Sequence, residues 1–125
     1  MLLLGSGRAQ EPAAPPILRK ALLLAQVEPG KRTDRVEIQE ITLKAGMKAP
    51  LHLHPCPVVG LVTAGAICFQ IEGGPVQHLK PGEAFFEPAM ARVVHFDPEG
   101  SASATFIAAY LLEAGDKETI RLLPR

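Results

Sequence analysis

The sequence predicts an all-β fold, a sandwich or barrel of short strands. Three observations predict it. Apolar runs are short and are broken by turn signals every eight to twelve residues or so, the rhythm of antiparallel β-structure. Twelve prolines and eleven glycines in 125 residues supply those turns. No stretch after residue 28 keeps a helical period.

The elements follow in order. Gln10-Glu11-Pro12-Ala13-Ala14-Pro15-Pro16 reads as an extended linker, so residues 1–16 are expected to be a disordered or extended tail and residues 17–125 a single domain. Residues 17–27 are apolar on both faces and end at Glu28-Pro29-Gly30; they suit a strand, although their leucines also suit a helix. Residues 35–44 alternate, with a break in phase between Ile38 and Ile41 that suggests a bulge. A short strand over 51–54 stops at Pro55-Cys56-Pro57, since proline cannot donate to a ladder. Residues 58–63 and 66–72 resemble a hairpin around Ala64-Gly65. Further strands are expected over 76–79, 84–87, 91–96, 105–112 and 118–123.

Bulk properties exclude several functions. Thirteen basic residues balance thirteen acidic ones, and no like-charge block stands out. Nothing in that balance points to nucleic acid or an anionic membrane as a partner. No apolar run approaches a membrane span. The start, Met1-Leu2-Leu3-Leu4, lacks the basic and long apolar regions of a secretory leader; if it were the remnant of one, the protein would be periplasmic. In the expected hairpin Cys56 and Cys68 lie on the order of 13 Å apart at the usual strand rise. A disulfide needs Cα atoms closer than about 7 Å. Two free thiols are therefore expected, which suits a reducing, cytoplasmic setting.

The chemistry concentrates at His52-Leu53-His54. Alternate side chains of a strand share a face, so the two imidazoles point the same way, with Cα atoms roughly 7 Å apart, and can converge on one metal ion. Five residues separate Gly46 from the pair, Pro55 follows it, and Leu61-Val62-Thr63-Ala64-Gly65 closes the segment. A second segment, Pro81-Gly82-Glu83-Ala84-Phe85-Phe86-Glu87-Pro88, is a Pro-Gly turn, a short strand and a proline. Together these resemble the two motifs of the cupins, over about residues 35–112.

The resemblance implies an RmlC-like jelly-roll β-barrel with a pocket that takes a small-molecule ligand, and a divalent metal, Fe, Mn, Ni or Zn. The chain departs from the pattern at the metal. The family glutamate would fall at Val58 or Val59, the second-motif glycine at Met90 and its histidine at Val93. His95, two residues on, shares Val93's face by parity and would be the displaced third ligand beside His52 and His54. Three readings stay open: a three-histidine metal site, a looser two-histidine site, and a metal-free pocket. The first implies a metal-dependent enzyme of the dioxygenase or isomerase type. The last implies a non-catalytic binding or sensor module. Glu87 would serve as a surrogate ligand or base if it pointed inward, but a glutamate at a strand end is more often solvated. His78 reads as a surface residue, Arg92 and Tyr110 as rim residues, Cys56 as a buried inert thiol and Cys68 as strand packing. Small cupins pair through N-terminal strands, so the resemblance also implies a homodimer formed through residues 17–27.

Overall fold

The computed structural model describes residues 16–125. Residues 1–15, which hold most of the expected tail and the leader-like start, lie outside the described residues. Nine strands are present among the described residues: β1 (Arg35–Leu43), β2 (His52–Leu53), β3 (Val58–Ala64), β4 (Ile67–Ile71), β5 (Gln77–Leu79), β6 (Ala84–Glu87), β7 (Val93–Pro98), β8 (Ala104–Leu112) and β9 (Arg121–Leu122). They form two antiparallel sheets, β9-β2-β7-β4-β5 and β1-β8-β3-β6. No helix long and apolar enough to cross a membrane occurs among the described residues.

Strand alternation builds the core. Ala104, Phe106, Ala108, Tyr110 and Leu112 of β8 are buried while the residues between them are only partly covered. Val58 and Val62 of β3, Phe85 of β6, and Ile67 and Phe69 of β4 are at most 2% exposed. Phe69, Phe85, Phe96 and Phe106 meet edge to face or tilted, with centroids 4.8–5.9 Å apart in every contacting pair. Gly60 lies directly across from Phe85, and a Cβ on it would stand 2.0 Å from the ring. The missing side chain is therefore what lets the ring lie flat on β3.

Four expectations need correction. Residues 58–63 and 66–72 do not form a hairpin: β3 pairs with β6 and β8, while β4 pairs with β5 and β7. The Gly65 turn is a corner between sheets. Gly65 has φ +72°, and a Cβ there would sit 2.3 Å from the Ser103 carbonyl oxygen, so only glycine makes the corner without strain. Both thiols are nonetheless free. Second, β1 has no bulge; its pairing with β8 runs unbroken from Arg35↔Leu112 to Leu43↔Ala104. The break in phase arises because Val36 and Ile38 face outward, 53% and 67% exposed, while Ile41 and Leu43 face the core. Third, residues 17–27 form neither strand nor helix within this chain. Fourth, the strand expected over 91–96 starts and ends two residues later.

Met90, where the second motif would have glycine, has φ +67°. The backbone keeps the left-handed turn although the residue does not favour it.

Candidate metal centre

β2 is short but sits between β9 and β7, with His52 opposite both Val93 and Leu122. His52 and His54 are each 5% exposed, with ring centroids 5.1 Å apart and planes at 83°. Each ring is oriented from behind. His52 Nδ1 donates to the Pro50 carbonyl at 2.8 Å, and His54 Nδ1 donates to the Thr119 carbonyl at 2.7 Å. A carbonyl only accepts, so both Nδ1 atoms carry protons and both Nε2 atoms face the cavity. That is the arrangement by which proteins fix a metal-binding histidine.

The third member is Glu87. It ends β6 on the same face as Phe85, is 3% exposed, and places Oε2 3.2 Å from His54 Nε2. One ligand atom from each of His52, His54 and Glu87 lies within 4.8 Å of the other two. Glu87 is directly opposite Val58, one of the two positions where the first motif would carry its glutamate, and Val58 is opposite Tyr110 on its other side. The carboxylate beside the histidine pair thus comes from β6 and not from β3. Two imidazoles and one carboxylate leave other coordination positions open, and that donor set suits Fe, Mn, Ni or Zn.

His95 does not join them. Its side chain is 50% exposed, and Nδ1 meets Asp97 Oδ2 at 3.1 Å. The parity expectation fails because β7 has one extra residue: Ile71 pairs with Val93 and Gln70 with His95, leaving Val94 unpaired. That bulge turns His95 outward and brings Phe96, not His95, onto Val93's face. Glu87, by contrast, was read as solvated. Two adjacent phenylalanines in Ala84-Phe85-Phe86-Glu87 hide the parity of β6; only the partner of Gly60 reveals that Phe85, and so Glu87, faces in. His78 is exposed and bonded to Glu99, Arg92 pairs with Glu72 on the surface, and Cys56 is buried. Tyr110 is not a rim residue but 5% exposed.

Electrostatics tie the group together. Burial alone would lower the His54 pKa, but the hydrogen bond and charge of Glu87, with the Thr119 carbonyl, raise it above the ordinary imidazole value. Burial, and next the Glu87 charge, push the Tyr110 hydroxyl up to about 12, so it stays protonated at neutral pH. The three donors open onto a cavity of about 220 Å³ walled by Leu43, Met47, Phe96, Phe106, Ala108 and Tyr110. Ile120 and Leu122 of the C-terminal segment stand at its partly exposed edge.

The fold is that of a cupin barrel, and solved structures bear it out. The chain is similar to the DMSP lyase DddQ from Ruegeria pomeroyi DSS-3, with 21% identity and a TM-score of 0.63 over 72% of this chain and 44% of the lyase. It is similar to an RmlC-like cupin with a double-stranded β-helix fold from Methanocaldococcus jannaschii, with 20% identity and a TM-score of 0.57 over 65% of this chain and 73% of that one. It is also similar to an oxalate oxidase in complex with the substrate analogue glycolate, with 20% identity and a TM-score of 0.58 over 70% of this chain and 46% of the oxidase. The chain spans less than half the length of the lyase and of the oxidase. No family model matches the sequence, and neither does any curated protein.

Proposed function

We propose that this protein binds a divalent metal through His52, His54 and Glu87 and a small organic ligand in the apolar cavity beside it. The observation that carries the proposal is the convergence of three buried donors within 4.8 Å, with both Nδ1 atoms already engaged behind the rings. A metal bound there supplies Lewis-acid polarisation or oxygen activation to the ligand. The chain's own residues do the rest. Pro50 and Thr119 hold the imidazoles, Glu87 contributes the negative charge, and the phenylalanine walls exclude water. The similar proteins are named a DMSP lyase and an oxalate oxidase, which supports an enzyme acting on a small molecule; with the three donors, the proposal extends to a metal-dependent enzyme of the dioxygenase or isomerase type. His95 stands outside the proposed ligand set on its exposure.

One observation favours a second reading. His54 and Glu87 satisfy each other at 3.2 Å, and no buried side-chain polar atom among the described residues lacks a partner. A metal-free binding or sensor module would rest on that pair. Elemental analysis separates the two. Protein purified without added metal, then incubated with Fe, Mn, Ni or Zn, carries one ion per chain under the first reading and loses it in His52→Ala. No ion under any of these conditions leaves the second.

The proposal includes a single barrel domain over residues 17–125 and a homodimer. Ile17, Leu18, Leu22 and Leu24 are more than half exposed, as are Val36 and Ile38. A groove on the outer face of the four-stranded sheet is lined by Leu22, Leu23, Ile38, Val59, Leu61 and Ile107. Contiguous apolar surface of this kind marks an interface. Light scattering at micromolar concentration should give twice the chain mass; the chain mass alone contradicts it. Two free thiols fit a cytoplasmic setting.

A further inference from the structure

The cavity wall is unusual for what it omits. Beyond His52, His54 and Glu87, the described residues that line it are apolar apart from the Tyr110 hydroxyl, Leu43, Met47, Phe96 and Phe106 among them, and none is a lysine or arginine. The Tyr110 hydroxyl, the one further polar side-chain group in that lining, supplies no positive charge. Two cations adjoin lining residues in the chain and lie outside the cavity: Arg121, between Ile120 and Leu122, pairs with Glu118 at 2.7 Å, and Lys48, between Met47 and Ala49, is exposed and lines a separate pocket with His95 and Asp97. A divalent ion balanced by the single carboxylate of Glu87 leaves one positive charge in the site. That compensates one negative charge on a ligand. A second would be buried against phenylalanine, leucine and methionine with no partner, which is strongly unfavourable.

Size narrows the ligand further. A cavity of about 150 Å³ lined by leucine, isoleucine and phenylalanine holds one benzene. Here about 220 Å³ is available, with the three donors and the Phe96, Phe106 and Tyr110 rings in its wall. Phe96 and Phe106, packed edge to face on each other at 4.8 Å and 69°, both line it.

We infer that the ligand of this site is a small apolar organic molecule, about one substituted ring in size, that carries at most one negative charge. This rests on the metal reading above for the charge it compensates; the size and apolar character rest on the cavity alone. The pocket thereby discriminates against dicarboxylates, however well their oxygens suit a metal.

Calorimetric titration of the full chain loaded with Co²⁺ tests this, with the cobalt visible spectrum as a second readout. Two matched pairs of probes are used. Butyrate and succinate have the same chain length and differ by one terminal carboxylate. Benzoate and acetate share a carboxylate and differ by a ring. Butyrate should bind at least about a hundredfold more tightly than succinate, because the far carboxylate enters an uncompensated apolar wall. Benzoate should bind about tenfold or more tightly than acetate, from burial of the ring. Ile120→Arg, at a position 45% exposed and so tolerant of a polar head, should narrow the butyrate–succinate gap with cobalt content unchanged. Succinate binding as well as butyrate, or acetate as well as benzoate, overturns the inference while leaving the metal reading intact. If cobalt does not bind, the metal reading falls, and toluene titrated into the metal-free chain decides the rest. Saturable toluene binding supports an apolar one-ring cavity, and its absence overturns it.

Discussion

Glu87 stands directly across the strand pair from Val58, so the barrel holds a carboxylate at its histidine pair from β6, while Val58 and Val59 occupy β3 where the family motif would place one. Neighbouring inward positions of an antiparallel pair hold Cβ atoms about 5 Å apart, close enough for a glutamate on either to reach the same point. The relationship predicts a rescue. Glu87→Val should cost more than the ten- to hundredfold loss in metal affinity that follows removal of an outer partner of a metal ligand. Adding Val58→Glu to Glu87→Val should recover most of it. Metal titration against a competing chelator measures both.

The His54–Glu87 pair makes metal binding and stability depend on pH in opposite senses. A metal needs the neutral imidazole, whereas the metal-free chain holds His54 protonated to a higher pH than usual, through Glu87. Affinity should therefore climb with pH, about tenfold per unit, until His54 is deprotonated. The stability term runs the other way. A pKa raised in the folded state contributes fully below the unfolded imidazole value of about 6.5 and is lost as pH rises through the folded value. Denaturant unfolding of chelator-treated protein from about pH 6 upward should show this loss, and Glu87→Gln should flatten it.

Met90→Gly should stabilise the fold. The residue sits at φ +67° and is 53% exposed, so the substitution relieves a left-handed side chain and gives up little burial. The gain should be roughly 1 kcal/mol, read from the denaturation midpoint, with metal content unchanged.

Gly60→Ala should destabilise it. The new methyl would overlap the Phe85 ring, and overpacking of this kind costs about 1–3 kcal/mol. In the Phe85→Leu background the same change should cost less, so a double-mutant cycle should be plainly non-additive.

Much of the fold is legible in the sequence because glycine and proline are read locally. The turns at Gly46, Gly73 and Gly82 all have positive φ, and the strands between them fall close to the expected places. What fails is non-local. Whether Val58–Ala64 pairs with the next strand or with one forty residues away depends on the Gly65 corner, which backs onto Ser103 and Ala104. The candidate site divides along the same line. His52 and His54 are visible as an alternating pair with motif glycine and proline around them. Glu87 and His95 exchange their expected roles because facing depends on the unpaired Val94 and on the Gly60–Phe85 contact, and neither can be read from one strand alone. Residues 17–27 look like a strand because they are apolar on both faces, yet they pair with no strand among the described residues, and Leu18 and Leu24 stay more than four-fifths exposed.

The most direct test is the metal stoichiometry of three single variants prepared side by side. The account predicts one divalent ion per chain in the parent protein and in His95→Ala, and its loss in His54→Ala and in Glu87→Gln. Metal retained by Glu87→Gln but lost by His95→Ala, or no metal in the parent protein under any loading condition, would contradict it.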